Sequence, residues 1–353
     1  MAGGVHASAQ PVPEVEVDVI STRVYTAAVD AYADGRAHEA RARIARVVPS
    51  AVFTAARSAM GDWGGDARRW RSAAVLHLDT AFRLVQRYRA DAVDPHLRAV
   101  DLALERLRAA DASPESEAFR ARCAVARLHY LLVAGRHDEI DRIVAGLKVP
   151  LAVQADVLFA RAVSHETRAR ATPPRVERRP TRATAPLQSA TMAGARRVWF
   201  ENHLRYAADL YQQVLALDPD AHEARLRLGR VQLERNTPAL ALDTLAPLLQ
   251  SGCADVLCGM AWLARGEALE VQGHAAAARD AYLQAHAVPS LAGSSTVALL
   301  TLGGDVPPAP ATSRGDGSGV GTRTEGVPPW RAHVLGISRR HAAMMAVLHA
   351  EIR

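Results

Sequence analysis

The chain has 353 residues and a formal net charge of +6, and 49% of its residues are apolar while only 5% are aromatic. The apolar content is sufficient for a large core. Because aromatic residues are few, Ala, Leu and Val must form most of that core, which favours an all-α fold. No run of about 18 apolar residues is present, so no transmembrane helix is expected. Lys148 is the only lysine. We interpret the arginine-dominated basicity as the mark of a GC-rich bacterial genome rather than of nucleic-acid binding.

The first segment, residues 1–16, is rich in Pro, Val and Glu and is predicted to be disordered. Within it, Ala7-Ser8-Ala9 resembles the cleavage site of a secretory signal, although the charged and apolar regions that precede such a site are missing. Two interpretations stay open. Either the likeness is accidental and the protein is cytoplasmic, or the protein is exported and its signal ends near Ala9.

Helical spacing of apolar residues predicts a divergent helical-repeat region over 17–170. Ser113 is expected to cap a helix that starts at Pro114. The glycine-rich stretch at 60–66 is predicted as a loop. The predicted helices span 17–33, 37–48, 67–88, 95–110, 115–134, 137–147 and 151–170.

Two segments of biased composition follow. Residues 171–195 contain four prolines and several arginines, and they predict a flexible insertion. Residues 303–330 are rich in Gly, Pro, Ser and Thr and predict a disordered linker. Helices are predicted around them over 196–217, 291–302 and 332–352, the last within the C-terminal segment 331–353.

The clearest regularity lies in residues 196–302, where small and large apolar residues recur in register. Ala207 and Ala241 are separated by one full period of 34 residues. In one unit Gly229, Asn236, Ala241, Leu245 and Leu248 occupy positions 8, 15, 20, 24 and 27, and in the next Trp262, Gly266, Gly273, Ala278, Tyr282 and Ala285 occupy positions 4, 8, 15, 20, 24 and 27. We expect the small residues where the two helices of a pair cross, and the larger ones in the groove against the next pair.

This pattern resembles the tetratricopeptide repeat (TPR). The resemblance implies an all-α solenoid, a right-handed superhelix of about five to six helix pairs with a concave groove. It also implies that the final helix caps the last repeat, because a terminal repeat otherwise exposes its apolar face.

The same resemblance implies which residues line the groove, namely positions 2, 5, 9, 12 and 13 of each first helix. The charged residues there are the predicted partner-binding site: Glu223, Arg230, Glu234, Glu267 and Glu270. The apolar residues there are Leu226, Leu233, Met260, Leu263 and Val271. Some family members hold a partner's C-terminal carboxylate with Lys and Asn at such positions, and those residues are absent here.

Sequence motifs of catalysis and of metal or cofactor binding are absent, so we expect no enzyme, no cofactor and no metal. The acidic stretch at 137–139 begins a helix, where acids favour the helix dipole. His77 and His129 lie in apolar helices and are predicted to be hydrogen-bonded core residues. For Cys253 and Cys258, buried thiols are the favoured interpretation and a disulfide is the alternative.

The function we expect is a non-enzymatic scaffold that binds a partner protein or peptide. One alternative is a nucleic-acid-associated regulator that uses the Arg-rich insertion together with the aromatic residues at 196–200. Another is an accessory component of a secreted or envelope assembly.

Overall fold

A computed structural model describes residues 14–87, 89, 92–147, 149–171, 185–250, 256–303, 306–308 and 329–352. Over these ranges the protein is all-helical, and no strand occurs in them. None of the helices among these residues is long and apolar enough to cross a membrane. The α-helices are α1 (Glu14–Ala33), α2 (Ala37–Ile44), α3 (Val52–Asp62), α4 (Ala67–Gln86), α5 (Asp94–Ala110), α6 (Pro114–Val133), α7 (His137–Gly146), α8 (Leu151–Arg170), α9 (Ala185–Leu217), α10 (His222–Glu234), α11 (Pro238–Gln250), α12 (Val256–Val271), α13 (Ala275–His286), α14 (Ala292–Thr301) and α15 (Pro329–Ile352).

The chain divides into two compact units. Unit 1 consists of Met1–Gly135 together with Arg339–Arg353, and unit 2 consists of Arg136–Ser338. This division differs from the sequence-based boundaries, because the C-terminal residues join the first unit rather than following the last repeat.

Unit 1 is built around α1 and α4, which pack against each other and against α2, α3, α5 and α6. The predicted buried stripe of α4 is confirmed, since Ala74, Leu78, Ala81, Phe82 and Val85 are all buried. The predicted cap of α6 is also confirmed, because the hydroxyl of its N-cap serine accepts a hydrogen bond from a backbone N–H of the first turn.

Helix α3 was not predicted from the sequence. It covers Val52–Asp62 and therefore takes in the first residues of the stretch that we predicted as a loop. Its buried residues do follow helical spacing, but they are mostly alanines, whose weak hydrophobicity makes the stripe difficult to recognise. They are Val52, Ala55, Ala56, Ala59 and Met60.

Helix α15 gives the largest difference from the predicted fold. We expected it to cap the last repeat, yet its residues from Arg339 onward belong to unit 1. There Met345, Leu348 and Ile352 join the main core cluster of that unit. The reason is packing complementarity between distant parts of the chain, which a local pattern does not encode.

Unit 2 is a succession of helix pairs, in which α8 packs on α9, α10 on α11, and α12 on α13. Within two of these pairs a glycine meets a large side chain of the facing helix. A Cβ atom on Gly229 would lie 2.8 Å from the side chain of Leu245, and one on Gly266 would lie 2.3 Å from the ring of Tyr282. The same sequence positions thus make the same contact in both pairs.

The turns between paired helices also recur. Asn236 has a φ of 58° and Gly273 one of 79°, both in the left-handed region that glycine and asparagine tolerate. In both turns the third residue after the helix donates its N–H to a carbonyl five residues earlier, as in a Schellman motif. Gly35 and Gly135 have positive φ at the corresponding position in earlier pairs.

Several predicted segments fall wholly or partly outside the described residues. These include residues 1–13, most of the insertion, Cys253 and most of the linker. Helix α9 begins at Ala185, inside the segment that we assigned to the insertion. Cys123 is a buried free cysteine. Cys258 is buried as well, but it is disulfide-bonded, so the favoured interpretation of a buried thiol is wrong for it.

Candidate functional site

Four of the five predicted partner-binding residues lie close together on α10 and α12, two helices that pack against each other. Arg230 and Glu234 are four residues apart on α10, while Glu267 and Glu270 are three apart on α12, so each pair shares one helix face. The charges of Arg230, Glu270 and Glu234 all act on the carboxyl group of Glu267. We call these four residues the charged cluster.

The pKa of Glu267 is raised, and desolvation by the surrounding protein is the largest cause. Arg230 opposes this rise, whereas the carboxylates of Glu270 and Glu234 add to it. The residue nevertheless remains exposed to solvent. Protein atoms therefore crowd this carboxyl group, although water still reaches it.

The position of Glu270 is fixed by the core of its own helix pair. The hydroxyl of Tyr282 donates a hydrogen bond to Glu270 Oε2 at 2.7 Å. Burial, and then this contact, raise the pKa of the Tyr282 hydroxyl, which therefore stays a donor. Because the Tyr282 ring also packs against Gly266, the residues that set the repeat spacing hold one carboxylate of the charged cluster in place.

A buried ionic network supports α10 from beneath the cluster. Glu166 of α8 is 1% exposed and Arg227 of α10 is 7% exposed. The Glu166 carboxylate accepts hydrogen bonds from Arg227 at 3.1 Å, from the Tyr211 hydroxyl at 2.6 Å and from Arg170 at 2.9 Å. Buried charges are tolerated when they are paired and hydrogen-bonded in this way, so the network ties α8, α9 and α10 together.

The predicted residue Glu223 belongs to this network rather than to the charged cluster. Its Oε1 accepts a hydrogen bond from Arg227 Nε at 3.0 Å, and its side chain is 15% exposed. Glu234 connects the two groups, because it is paired with Arg170 of α8 while its charge also acts on Glu267.

The sequence analysis missed Glu166, Arg170 and Tyr211. No repeat register was assigned to α8, so its proximity to α10 was not foreseen. The available signal was spacing, because Glu166 lies three residues after Val163 and three before Ala169 and so falls on the buried stripe of α8. Of the predicted apolar groove residues, Leu226 is 1% exposed and belongs to the core of unit 2, whereas Val271 is 62% exposed.

The two histidines predicted to lie in the core differ from each other. His77 is buried and hydrogen-bonded to Tyr25 at 2.9 Å and to His96 at 2.8 Å, as predicted. His129 is equally buried, but neither of its ring nitrogens has a hydrogen-bond partner, so the prediction of a satisfied residue is wrong there. Within the described ranges no three His, Cys, Asp or Glu side chains come together in a way that could hold a metal ion.

The aromatic residues of the possible nucleic-acid segment are engaged inside unit 2. The Trp199 indole N–H donates to the Arg168 carbonyl at 3.0 Å, and its ring meets His203 edge-on with centroids 4.2 Å apart. Arg196 and Arg197 are exposed. The arginines of the insertion itself, at 175–182, lie outside the described residues.

Comparison with known proteins adds no family to these observations. No protein-family model matches the chain, and no curated protein has a sequence similar enough to indicate its function.

Proposed function

We propose that this protein is a non-enzymatic scaffold that binds a partner protein or peptide in the groove of a tetratricopeptide-like solenoid. The observation that carries the proposal is the charged cluster of Arg230, Glu234, Glu267 and Glu270 on adjacent helices. Exposed charges contribute little to stability, so this concentration of them on two adjacent helices is better explained by recognition than by folding.

The repeat architecture is supported by two features of unit 2. The glycine at position 8 meets the large residue at position 24 in two successive helix pairs. In both pairs the residue at position 15 has a positive φ, and the turn there has the same hydrogen-bond pattern. Both features are what stacked copies of one helix-pair unit require.

The charges of the cluster favour a basic partner segment. Three carboxylates and one guanidinium leave the cluster with a negative balance. The raised pKa of Glu267 means that its ionised form is disfavoured by its surroundings. A lysine or arginine of a partner placed between Glu267 and Glu270 would relieve that cost, and complementary charge also confers specificity.

The experiment is a selection of displayed random peptides against the full-length chain, followed by affinity measurements on the peptides recovered. We expect those peptides to be enriched in Lys and Arg. The double substitution Glu267→Gln with Glu270→Gln should weaken their binding about tenfold or more, equivalent to about 1.4 kcal/mol or more.

A matched control is available on the second helices of the same pairs. Asp243 of α11 and Asp280 of α13 are exposed, so Asp243→Asn with Asp280→Asn changes the net charge by the same amount elsewhere. This variant should bind with unchanged affinity. Equal loss in both double variants would indicate a nonspecific charge effect, and unchanged binding in the Glu267/Glu270 variant would contradict the proposed site.

A further inference from the structure

The C-terminal part of α15 lies against a continuous face of unit 1. Its buried residues follow one stripe at i, i+4, i+7 and i+11, namely His341, Met345, Leu348 and Ile352. The opposite side of the helix faces solvent, and Val347 there is 46% exposed. Residues 339–352 are therefore an amphipathic helix seated by one face, as in helix-in-groove recognition.

Three helices of unit 1 form the receiving face, which we call the α1/α4/α6 groove. Phe82 of α4 stacks on His341 with ring centroids 3.7 Å apart. Tyr32 of α1 is hydrogen-bonded to His349. Arg122 of α6 forms an ion pair with Glu351 at 2.5 Å.

The end of the seated helix is held by a shared arginine. Arg68 of α4 donates to the Ala33 carbonyl at the end of α1 at 2.7 Å and to the Ile352 carbonyl at 3.3 Å. A guanidinium beside the last carbonyl groups of a helix complements the helix dipole. The groove therefore contacts the C-terminal end of the helix as well as its apolar stripe.

Several features weaken the packing of the seated helix in this groove. His129 lies edge-on to His341, and its two buried ring nitrogens lack hydrogen-bond partners. Glu351 Oε2 is also buried without a partner. A cavity of about 60 Å³ remains beside Tyr32, His349 and Ile352. Unsatisfied polar groups and unfilled volume weaken packing, and permanent cores seldom keep several of them together.

The chain also provides a long tether. Residues 302–328 separate α14 from α15. At about 3.3 Å per extended residue, this segment can span on the order of 90 Å. Residues 339–352 would stay covalently attached when a partner helix displaced them, and they would compete for the groove at high effective concentration.

We propose that the α1/α4/α6 groove is a binding surface for an amphipathic helix of a partner protein, and that residues 339–352 occupy it in cis. The partner helix would carry apolar or aromatic residues at i, i+4, i+7 and i+11, with an acidic residue in its last turn facing Arg122. This surface is separate from the charged cluster and does not depend on its role.

The test uses the full-length chain and a fluorescent peptide with the sequence of residues 337–352 as the partner helix. Leu348→Asp should expel the attached helix, because Leu348 is fully buried in the groove. We expect this variant to bind the peptide at least tenfold more tightly than the unsubstituted chain, as measured by fluorescence anisotropy. A variant that keeps its helicity by circular dichroism and binds the peptide no more tightly would overturn the proposal.

Two further variants keep the test decisive if Leu348→Asp unfolds unit 1. Glu351→Arg leaves the apolar stripe intact and only places a cation opposite Arg122, so it should increase peptide affinity about threefold to tenfold. Val347→Asp introduces the same acidic group as Leu348→Asp on the solvent side and should bind the peptide as the unsubstituted chain does. The proposal is contradicted if Glu351→Arg binds the peptide no more tightly than the unsubstituted chain does. It is also contradicted if Val347→Asp gains as much peptide affinity as Leu348→Asp.

Discussion

The two units treat comparable helix faces in opposite ways. In unit 1 the face formed by α1, α4 and α6 is covered by the apolar stripe of α15. In unit 2 the adjacent helices α10 and α12 present the charged cluster to solvent. The backbone arrangement is helical in both, so the chemistry of the side chains decides whether such a face is covered by the chain itself or remains available to charged groups of a partner.

The buried polar groups of the two units follow the same division. Unit 1 buries histidines that stay neutral, among them His96 and His129. Unit 2 buries a paired glutamate and arginine, Glu166 and Arg227. A neutral imidazole costs less free energy to bury than a charged group, but it can be protonated in mild acid. A fully hydrogen-bonded ion pair is insensitive to mild acid, but the loss of either member is strongly destabilising.

The largest effect should come from breaking the ion pair of unit 2. Glu166→Ala removes the buried carboxylate that Arg227, Arg170 and Tyr211 share and leaves Arg227 its pair with Glu223, so we expect a loss of about 3–5 kcal/mol in the free energy of unfolding. Urea denaturation followed by circular dichroism measures it. The exposed Asp243→Ala is the control and should change stability by less than about 0.5 kcal/mol. Similar midpoints for both variants would show that the network does not hold α8, α9 and α10 together.

The second effect tests the repeat spacing that positions Glu270. Gly266→Ala adds a Cβ that would lie 2.3 Å from the Tyr282 ring, and the resulting overpacking should cost about 1–3 kcal/mol. Gly293 lies in α14, where an added Cβ meets nothing within 4 Å. Gly293→Ala should therefore be neutral or stabilise the helix by up to about 1 kcal/mol. The outcome that contradicts us is a Gly266→Ala protein as stable as Gly293→Ala.

A third, pH-dependent effect should distinguish α4 and α6 of unit 1 from α10 and α12 of unit 2. The histidines of unit 2 whose pKa is lowered, His137, His165 and His203, lie on α7, α8 and α9 instead. Burial lowers the pKa of His129 to about 3 and that of His341 to about 4. Histidines in the unfolded chain titrate near pH 6.5, so between about pH 6.5 and pH 4 the unfolded state binds more protons than the folded state. Stability is therefore complete above about pH 6.5 and is lost as the pH falls, by up to about 1.4 kcal/mol per pH unit for each such histidine.

Hydrogen exchange of the full-length chain at pH 7 and pH 5, corrected for the intrinsic rate, measures this loss in each unit. Protection should fall more in α4, α6 and residues 339–352 than in α10 and α12. His274 is exposed, so His274→Gln should leave the difference unchanged. Equal loss of protection in these two sets of helices would show that the buried histidines of unit 1 do not govern its acid sensitivity.

The smallest effect is expected at the charged cluster itself. Arg230→Ala with Glu267→Ala should leave the free energy of unfolding within about 0.5 kcal/mol of the parent, because both groups are on the surface. Chemical denaturation is again the measurement. A loss above about 1 kcal/mol would mean that these charges serve the fold, and it would weaken their proposed role in binding.

Local features of this molecule were predictable from the sequence, and long-range ones were not. Helix α8 has the predicted boundaries, and Ser113 caps α6 as predicted. Both depend on residues near one another in the chain. The seat of α15 depends on contacts such as Tyr32 with His349, which are 317 residues apart, and no local periodicity encodes them. The Glu166 network was missed for the same reason, since it joins three helices.

The candidate site shows the same limit. The resemblance to the repeat placed Arg230, Glu234, Glu267 and Glu270 on one surface, and in the structure the charges of the other three act on Glu267. Spacing did not reveal that Glu223 pairs with Arg227. Which member of a charged set turns inward depends on the neighbouring helix, and here that helix is α8.

The position of α15 late in the chain also affects the order in which the parts of unit 1 are synthesised. Unit 1 ends its first stretch at Gly135, but its last helix begins to contribute at Arg339. At roughly 5–20 residues per second, a ribosome needs on the order of 10–40 seconds to make the residues between them. During that interval the α1/α4/α6 groove of the nascent chain has no helix of its own to cover it. Synthesis itself therefore gives any competing helix, or a chaperone, its longest opportunity to bind there.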